Sequence, residues 1–207
     1  LNRLRAGGIM HHGPLALGLT RLEVACAPRV GILSTGDEVV PPDAPLGPGQ
    51  VRDVNSYALS ALGERAGGTP IRYGIFPDRA DPLRVAAARA LADCDLIVIT
   101  AGSSASTRDL TAEIVNSLGE PGVLVHGVNV RPGKPTILGV CGGKAVVGLP
   151  GNPISALVIA GLFVAPVVGR LLGLRRDRLP GTVPATLTIN VASQAGREDW
   201  IPVRLLP

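Results

Sequence analysis

Val30-Gly31-Ile32-Leu33-Ser34-Thr35-Gly36-Asp37-Glu38 is the stretch on which the fold turns. A short uncharged run, apolar at nearly every position, meets a glycine and then two carboxylates. A half-exposed strand would alternate apolar and polar residues, whereas an unbroken run of this length has the profile of a strand buried on both faces. The design recurs downstream. Leu96 to Thr100 enters the loop Ala101-Gly102-Ser103-Ser104, and Ala145 to Val147 leads into Gly148-Leu149-Pro150-Gly151-Asn152-Pro153. Further strands are expected over Ile71 to Phe76, Val123 to Val130 and Thr136 to Val140.

Helices fall between these runs. Asn55 or Ser56 is expected to cap one with Leu59, Leu62 and Ala66 on one side and Gly67-Gly68 as its stop. Asp81-Pro82 opens a second, carrying Leu83, Ala87, Ala90 and Leu91 as its apolar stripe. A third spans Leu110 to Leu118, and Asn152-Pro153 opens a fourth that ends near Gly173. Strands and helices alternating at this spacing predict an α/β protein, a three-layer α/β/α sandwich around a mainly parallel sheet.

Three segments are expected. Residues 1–25 show little periodicity and read as the tail of a preceding element. Residues 26–175 form the α/β domain. Residues 176–207 change character: Thr182 to Val191 alternates as an antiparallel strand would, and Ile201 to Leu205 is its expected partner, the start of a small β-barrel domain. Leu1 in place of an initiator methionine suggests a piece of a longer protein.

Composition narrows the function. Apolar residues make up 46% of the 207, aromatic residues only 2%, so aliphatic side chains must fill the core. The net charge of +4 comes almost wholly from arginine, since Lys134 and Lys144 are the only lysines. With no long basic block and few rings for base stacking, a small anionic ligand suits this charge better than a nucleic acid. Cys26, Cys94 and Cys141 are too far apart for a metal-binding pair, which fits a reducing cytoplasm. The apolar run from Ile154 to Gly169 is shorter than the ~20 residues of a membrane span and holds Pro166, so it reads as a core helix.

The chemistry is expected in the loops after the strands. In an open α/β sheet, ligands bind beyond the carboxyl ends of the strands, where small residues and helix N-termini favour anions. Thr35, Gly36, Asp37 and Glu38, then Gly102, Ser103 and Ser104, then Pro150, Gly151, Asn152 and Ser155 are the candidate binding residues. Arg131-Pro132-Gly133-Lys134-Pro135 is a rigid turn that displays two cations suited to phosphate or an oxyanion. It lacks the Ser/Thr and following helix of a P-loop. Asp53 and Asp109 are candidate ligands of a hard cation such as Mg²⁺. The alternatives are that Asp109 merely caps a helix through Ser106-Thr107-Arg108-Asp109, and that Asp53 is an ordinary residue before one.

Taken in order, V-G-I-L-S-T-G-D-E (30–38), Q-V-R-D-V-N (50–55), the Gly102 to Asp109 loop, Pro132 to Pro135 and G-L-P-G-N-P-I-S (148–155) resemble molybdopterin molybdenumtransferase, the MoeA family, to which the gephyrin E domain is similar. Ala195 to Trp200 resembles the opening of that family's C-terminal β domain. The resemblance implies the molybdenum-cofactor biosynthesis fold and insertion of molybdate into adenylylated molybdopterin, with Mg²⁺ assisting and AMP released. It implies roles for Asp53 and Asp109 near metal and substrate, for Arg131 and Lys134 on oxyanion or phosphate, and for Ser103, Ser104, Gly151 and Asn152 in the pocket. It also implies a homodimer when full length, molybdopterin adenylyltransferase upstream and molybdoenzymes downstream.

Ala101 to Ser106 replaces the family's G-G-V-S-V-G, Gly127 stands where lysine is frequent, and Arg131 where lysine is usual. These departures resemble a divergent branch. Two alternatives follow: a non-catalytic molybdopterin-binding or scaffold module, favoured by those departures, and a molybdopterin adenylyltransferase, disfavoured by Gly196 to Trp200.

Overall fold

The computed structural model describes Gly18, Arg21 and residues 23–100, 105–174 and 183–206, with the side chains of 105–108 outside the description. Strand β1 (Arg29–Thr35) is buried at every position after Arg29. Two two-residue strands follow, β2 (Val39–Val40) and β3 (Val51–Arg52). Then come α1 (Asn55–Arg65), β4 (Thr69–Phe76), α2 (Ala80–Asp93), β5 (Leu96–Thr100) and α3 (Ala105–Ser117). The rest comprises β6 (Pro121–His126), β7 (Val130–Arg131), β8 (Ile137–Cys141), β9 (Lys144–Leu149), α4 (Pro153–Leu171) and β10 (Glu198–Asp199).

Six strands form one sheet in the order β4-β1-β5-β9-β8-β6. The first four run parallel, while β8 is antiparallel to β9 and β6 antiparallel to β8. The expected mainly parallel sheet is therefore present, with both faces covered. Val30, Ile32, Leu96, Val98, Val147 and Leu149 face one way, into a cluster with Leu59 of α1 and Ala156, Ile159, Val164 and Val168 of α4. Leu33, Ile97, Ile99 and Val146 face the other way, against Leu83, Ala87 and Ala90 of α2 and Ile114 and Val115 of α3. Alternate residues of one strand thus serve two cores, and β1 and β5 read as continuous apolar runs for that reason.

Helix α4 is apolar and long enough to cross a membrane, but its Ile159, Ala160, Val164 and Val168 belong to the first core, each at most 1% exposed. Pro166 does not end it. The chain widens into a π-turn over Ala160–Val164 just before the proline and continues as α-helix to Leu171. Proline clashes with the carbonyl four residues back, and a wider turn moves that carbonyl aside.

Several expectations are corrected. The strand expected to run from Val123 to Val130 stops at His126, where Gly127 turns the chain with φ +92. Val128 N then donates to Lys134 O, closing a loop instead of extending the ladder. Helix α1 is not capped by Asn55 or Ser56. Asp53 Oδ1 accepts from Ser56 N at 3.0 Å and does the work of a cap. No strand forms over 183–191 or 201–206. Val183, Leu187, Ile189, Val203 and Leu205 are each more than half exposed there, because alternation yields a strand only where a neighbouring strand and a core receive it. Among the described residues this stretch adds β10 alone, paired parallel with β7. The expected domain boundary near 175–180 lies outside the described residues, as does nearly all of the expected N-terminal tail.

Candidate functional site

The parallel register fixes one edge of the sheet. Ser34 lies beside Thr100 and Thr100 beside Leu149, so β1, β5 and β9 end together. Because β8 is antiparallel, Ile137 lies beside Gly148, and His126 beside Ile137. The 127–136 loop with Arg131 and Lys134 therefore leaves the sheet at the edge where β1, β5 and β9 end. Asp109, in the helix that follows β5, belongs to this end as well.

Buried polar groups collect here. Ser34, Thr35, Asp53, Ser56, Thr100 and Thr136 are all at most 6% exposed. Ser34 Oγ donates to Asp53 Oδ2 at 2.9 Å. Thr35 Oγ1 donates to Thr100 O at 3.1 Å, tying the ends of β1 and β5. Asn55 Nδ2 donates to Gly151 O at 2.8 Å, joining α1 to the loop that opens α4. In that loop Asn152 Oδ1 accepts from Ser155 N at 3.2 Å and from Ser155 Oγ at 3.3 Å, so both predicted residues are first of all a helix cap. Pro150 beneath them is buried.

The loop after β1 differs from a free anion cradle. Gly36 N donates to Phe76 O at 3.1 Å, so this amide is already used by the edge strand. Asp37 is exposed and accepts from Asp78 N at 3.2 Å, while Glu38 is half-buried and its carbonyl accepts from Val51 N. Gly102, Ser103 and Ser104 lie outside the described residues, as does the Ser106 side of the expected capping box.

Arg131 and Lys134 are both exposed on a loop held from within. Thr136 Oγ1 donates to Gly133 O at 2.6 Å and Gly127 N to Thr136 O at 2.8 Å. Gly133 is buried with φ +120 against α4, where a Cβ would stand 2.2 Å from Ile159 Cδ1. The rigidity expected of this turn thus comes from packing as well as from its prolines.

Sequence reasoning missed Asp199. Its carboxylate takes Arg197 Nε at 2.9 Å and Arg131 Nε at 3.2 Å. A hydrogen bond from Ser193, then one from Arg197 and the charges of Arg131 and Arg197, hold this carboxyl below the usual carboxylate range. No spacing rule links residues 131 and 199; only the β7–β10 pairing does.

For a hard cation the donors on offer are carboxylates. Asp109 is exposed, and Asp53 is buried with each oxygen accepting one hydrogen bond. An ionised carboxylate has about four lone-pair sites, so acceptor capacity remains on Asp53. No group of three or more His, Cys, Asp or Glu able to hold a metal occurs among the described residues. Mg²⁺ takes one or two carboxylates and completes its shell with substrate oxygens and water, so the remaining acceptor capacity of Asp53 is what this site offers it.

Strand ends, capped helix N-termini and a two-cation turn thus share one edge of a mainly parallel sheet in an α/β domain. A family model described as "Probable molybdopterin binding domain" matches residues 31–170, and the chain belongs to that family. It is 37% identical over 184 residues to a molybdopterin molybdenumtransferase of Nostoc sp., covering 87% of this chain and 42% of that protein. The crystal structure of a molybdopterin biosynthesis MoeA protein from Pyrococcus horikoshii is 43% identical, with TM-score 0.64, covering 71% of this chain and 36% of that one. A MoaB protein from Thermus thermophilus, 24% identical with TM-score 0.51 over 70% of this chain and 97% of its own, shares the fold. The resemblance and the α/β fold expected from the motifs are borne out, while the expected small β-barrel is not shown. The chain spans less than half the length of these longer relatives.

Proposed function

We propose that the full-length protein works in molybdenum-cofactor biosynthesis as a cytoplasmic molybdopterin molybdenumtransferase, inserting molybdate into adenylylated molybdopterin and releasing AMP. The observation that carries the reading is the shared sheet edge of the Arg131–Lys134 turn and the ends of β1, β5 and β9, in a chain of the molybdopterin-binding family.

Arg131 and Lys134 bind the tetrahedral oxyanion and substrate phosphate, both of which need positive charge in a fixed place. Thr35, Gly36, Asp37 and Glu38 on one side, and Pro150, Gly151, Asn152 and Ser155 on the other, wall the pterin-phosphate pocket. Gly102, Ser103 and Ser104 complete it. Asp53 and Asp109 would hold Mg²⁺, which when bound offsets phosphate charge as the leaving group departs. Asp53 also orients the Ser34 hydroxyl and fixes α1 beside the loop that Asn55 touches.

In this reading the protein acts as a homodimer, downstream of an adenylyltransferase and upstream of molybdoenzymes. The test is AMP release by the full-length protein given adenylylated molybdopterin, Mg²⁺ and molybdate. Pterin binding without AMP release would point instead to a non-catalytic binding module.

A further inference from the structure

Asp199 has no part in the reaction as proposed, yet its carboxylate is only 5% exposed and deeply engaged. Oδ1 takes Arg197 Nε at 2.9 Å and Arg131 Nε at 3.2 Å, while Arg197 Nη2 approaches Oδ2 at 3.4 Å. The backbone is fastened in step. Asp199 lies beside Arg131 in parallel register, and Trp200 N donates to Arg131 O at 2.7 Å. Glu198 N donates to Asn129 O at 3.0 Å, and Asn129 Nδ2 to Gly196 O.

Arg131 itself is 49% exposed in its side chain. Its Nε forms an ion pair with Asp199 at 3.2 Å and its Nη2 donates to Ala192 O at 3.3 Å, whereas Nη1 has no hydrogen-bond partner among the described residues. The carboxylate is therefore inside and the outer end of the guanidinium outside. An unheld arginine loses much rotamer freedom when it clamps a ligand, and here part of that ordering precedes binding.

We propose that Asp199 is a positioning residue for Arg131, holding it through Nε so that its outer N–H groups meet a tetrahedral oxyanion. This rests on the reading of Arg131 as an oxyanion ligand. A carboxylate also repels an anion, and the two effects oppose each other. Arg197 limits the repulsion, since one carboxylate shared by two guanidinium groups leaves the cluster net positive, and the sign of the Asp199→Asn effect shows which of the two prevails.

The test is binding of sodium molybdate to the full-length protein by equilibrium dialysis, with no pterin present. Arg131→Ala should weaken binding. Asp199→Asn should weaken it about tenfold in the wild-type background, the scale of coupling between two contacting groups, and leave it within about twofold in the Arg131→Ala background. Asp199→Glu, which keeps the charge, should restore most of the affinity. Tighter binding by Asp199→Asn, or the same change in both backgrounds, makes Asp199 an independent charge and overturns the proposal. Weakening by Arg131→Ala with none by Asp199→Asn sinks the positioning role alone. No effect of Arg131→Ala sinks the oxyanion reading beneath it. Should Asp199→Asn fail to fold, the unaltered protein still decides. The motion of its Arg131 Nε–H group, assigned by its loss in Arg131→Lys, should be as restricted on the ps–ns timescale as rigid backbone, and a freely reorienting side chain would contradict the proposal.

Discussion

Ser34 Oγ donates to Asp53 Oδ2 across 2.9 Å, and the other oxygen of the same carboxylate caps α1 at Ser56 N. One buried side chain thus fixes the end of β1 and the start of the next helix. Asp53→Ala leaves a hydroxyl and an amide buried without their acceptor, so urea unfolding of the metal-free protein should show a loss of about 2–4 kcal/mol. Asp53→Asn keeps a cap acceptor and should lose about 1 kcal/mol. A loss under about 0.5 kcal/mol for Asp53→Ala, the size of an ordinary surface change, would show that this residue has no structural task.

Gly133 is where the cationic turn touches the core. With φ +120 and Ile159 Cδ1 at 2.2 Å from an ideal Cβ, Gly133→Ala should cost about 3 kcal/mol. Ile159→Ala alone should cost about 2–5 kcal/mol by opening a cavity. The double variant should be more stable than the sum of the two losses predicts, because the new methyl enters the space vacated. Strict additivity in thermal or urea unfolding would mean that the turn relaxes away from α4.

The Asp199 carboxyl lies below its ordinary range, first through Ser193 and then through Arg197 and Arg131. A group depressed in the folded state supports its contacts above its unfolded pKa, about 3.9, and loses them as pH falls through the lower folded value. Trp200 is the sole tryptophan and is fastened to Arg131 O. Its fluorescence should stay constant from neutrality to about pH 4 and change only below that. The Asp199→Asn variant should lack this acid step. A wild-type transition centred above pH 5, outside the range of a depressed carboxyl, would contradict the assignment.

Much of this architecture was legible because burial writes itself into single stretches. Val30 to Thr35 and Leu96 to Thr100 each serve two cores, and nothing polar interrupts them until the strand ends. Local chemistry misled at α1, where Asp53, Asn55 and Ser56 within four residues could each cap and only the position of Ser34 selects Asp53. The 182–191 alternation carried no information about whether a partner strand is present. Asp199 was invisible for a related reason, since its meaning depends on a pairing with residue 131 that no local pattern encodes. Gly127 became intelligible only in space: its φ of +92 closes the loop that presents Arg131 and Lys134.

Arg131→Ala and Asp109→Ala are the variants that test the assigned roles. Each should lower AMP release by about a hundredfold or more, the scale of removing a group that stabilises developing charge. The metal-free Asp109→Ala protein should lose little stability, since that side chain is exposed, whereas Arg131→Ala also removes an ion-pair partner of the nearly buried Asp199 and its stability is measured alongside its activity. Full activity in either variant removes that residue from the site.

The most direct measurement of the central claim is a single-turnover reaction of the full-length protein loaded with adenylylated molybdopterin. One AMP should be released per pterin bound, only when molybdate and Mg²⁺ are both supplied. AMP release that is indifferent to molybdate, or tight pterin binding with no release under any combination, would contradict it.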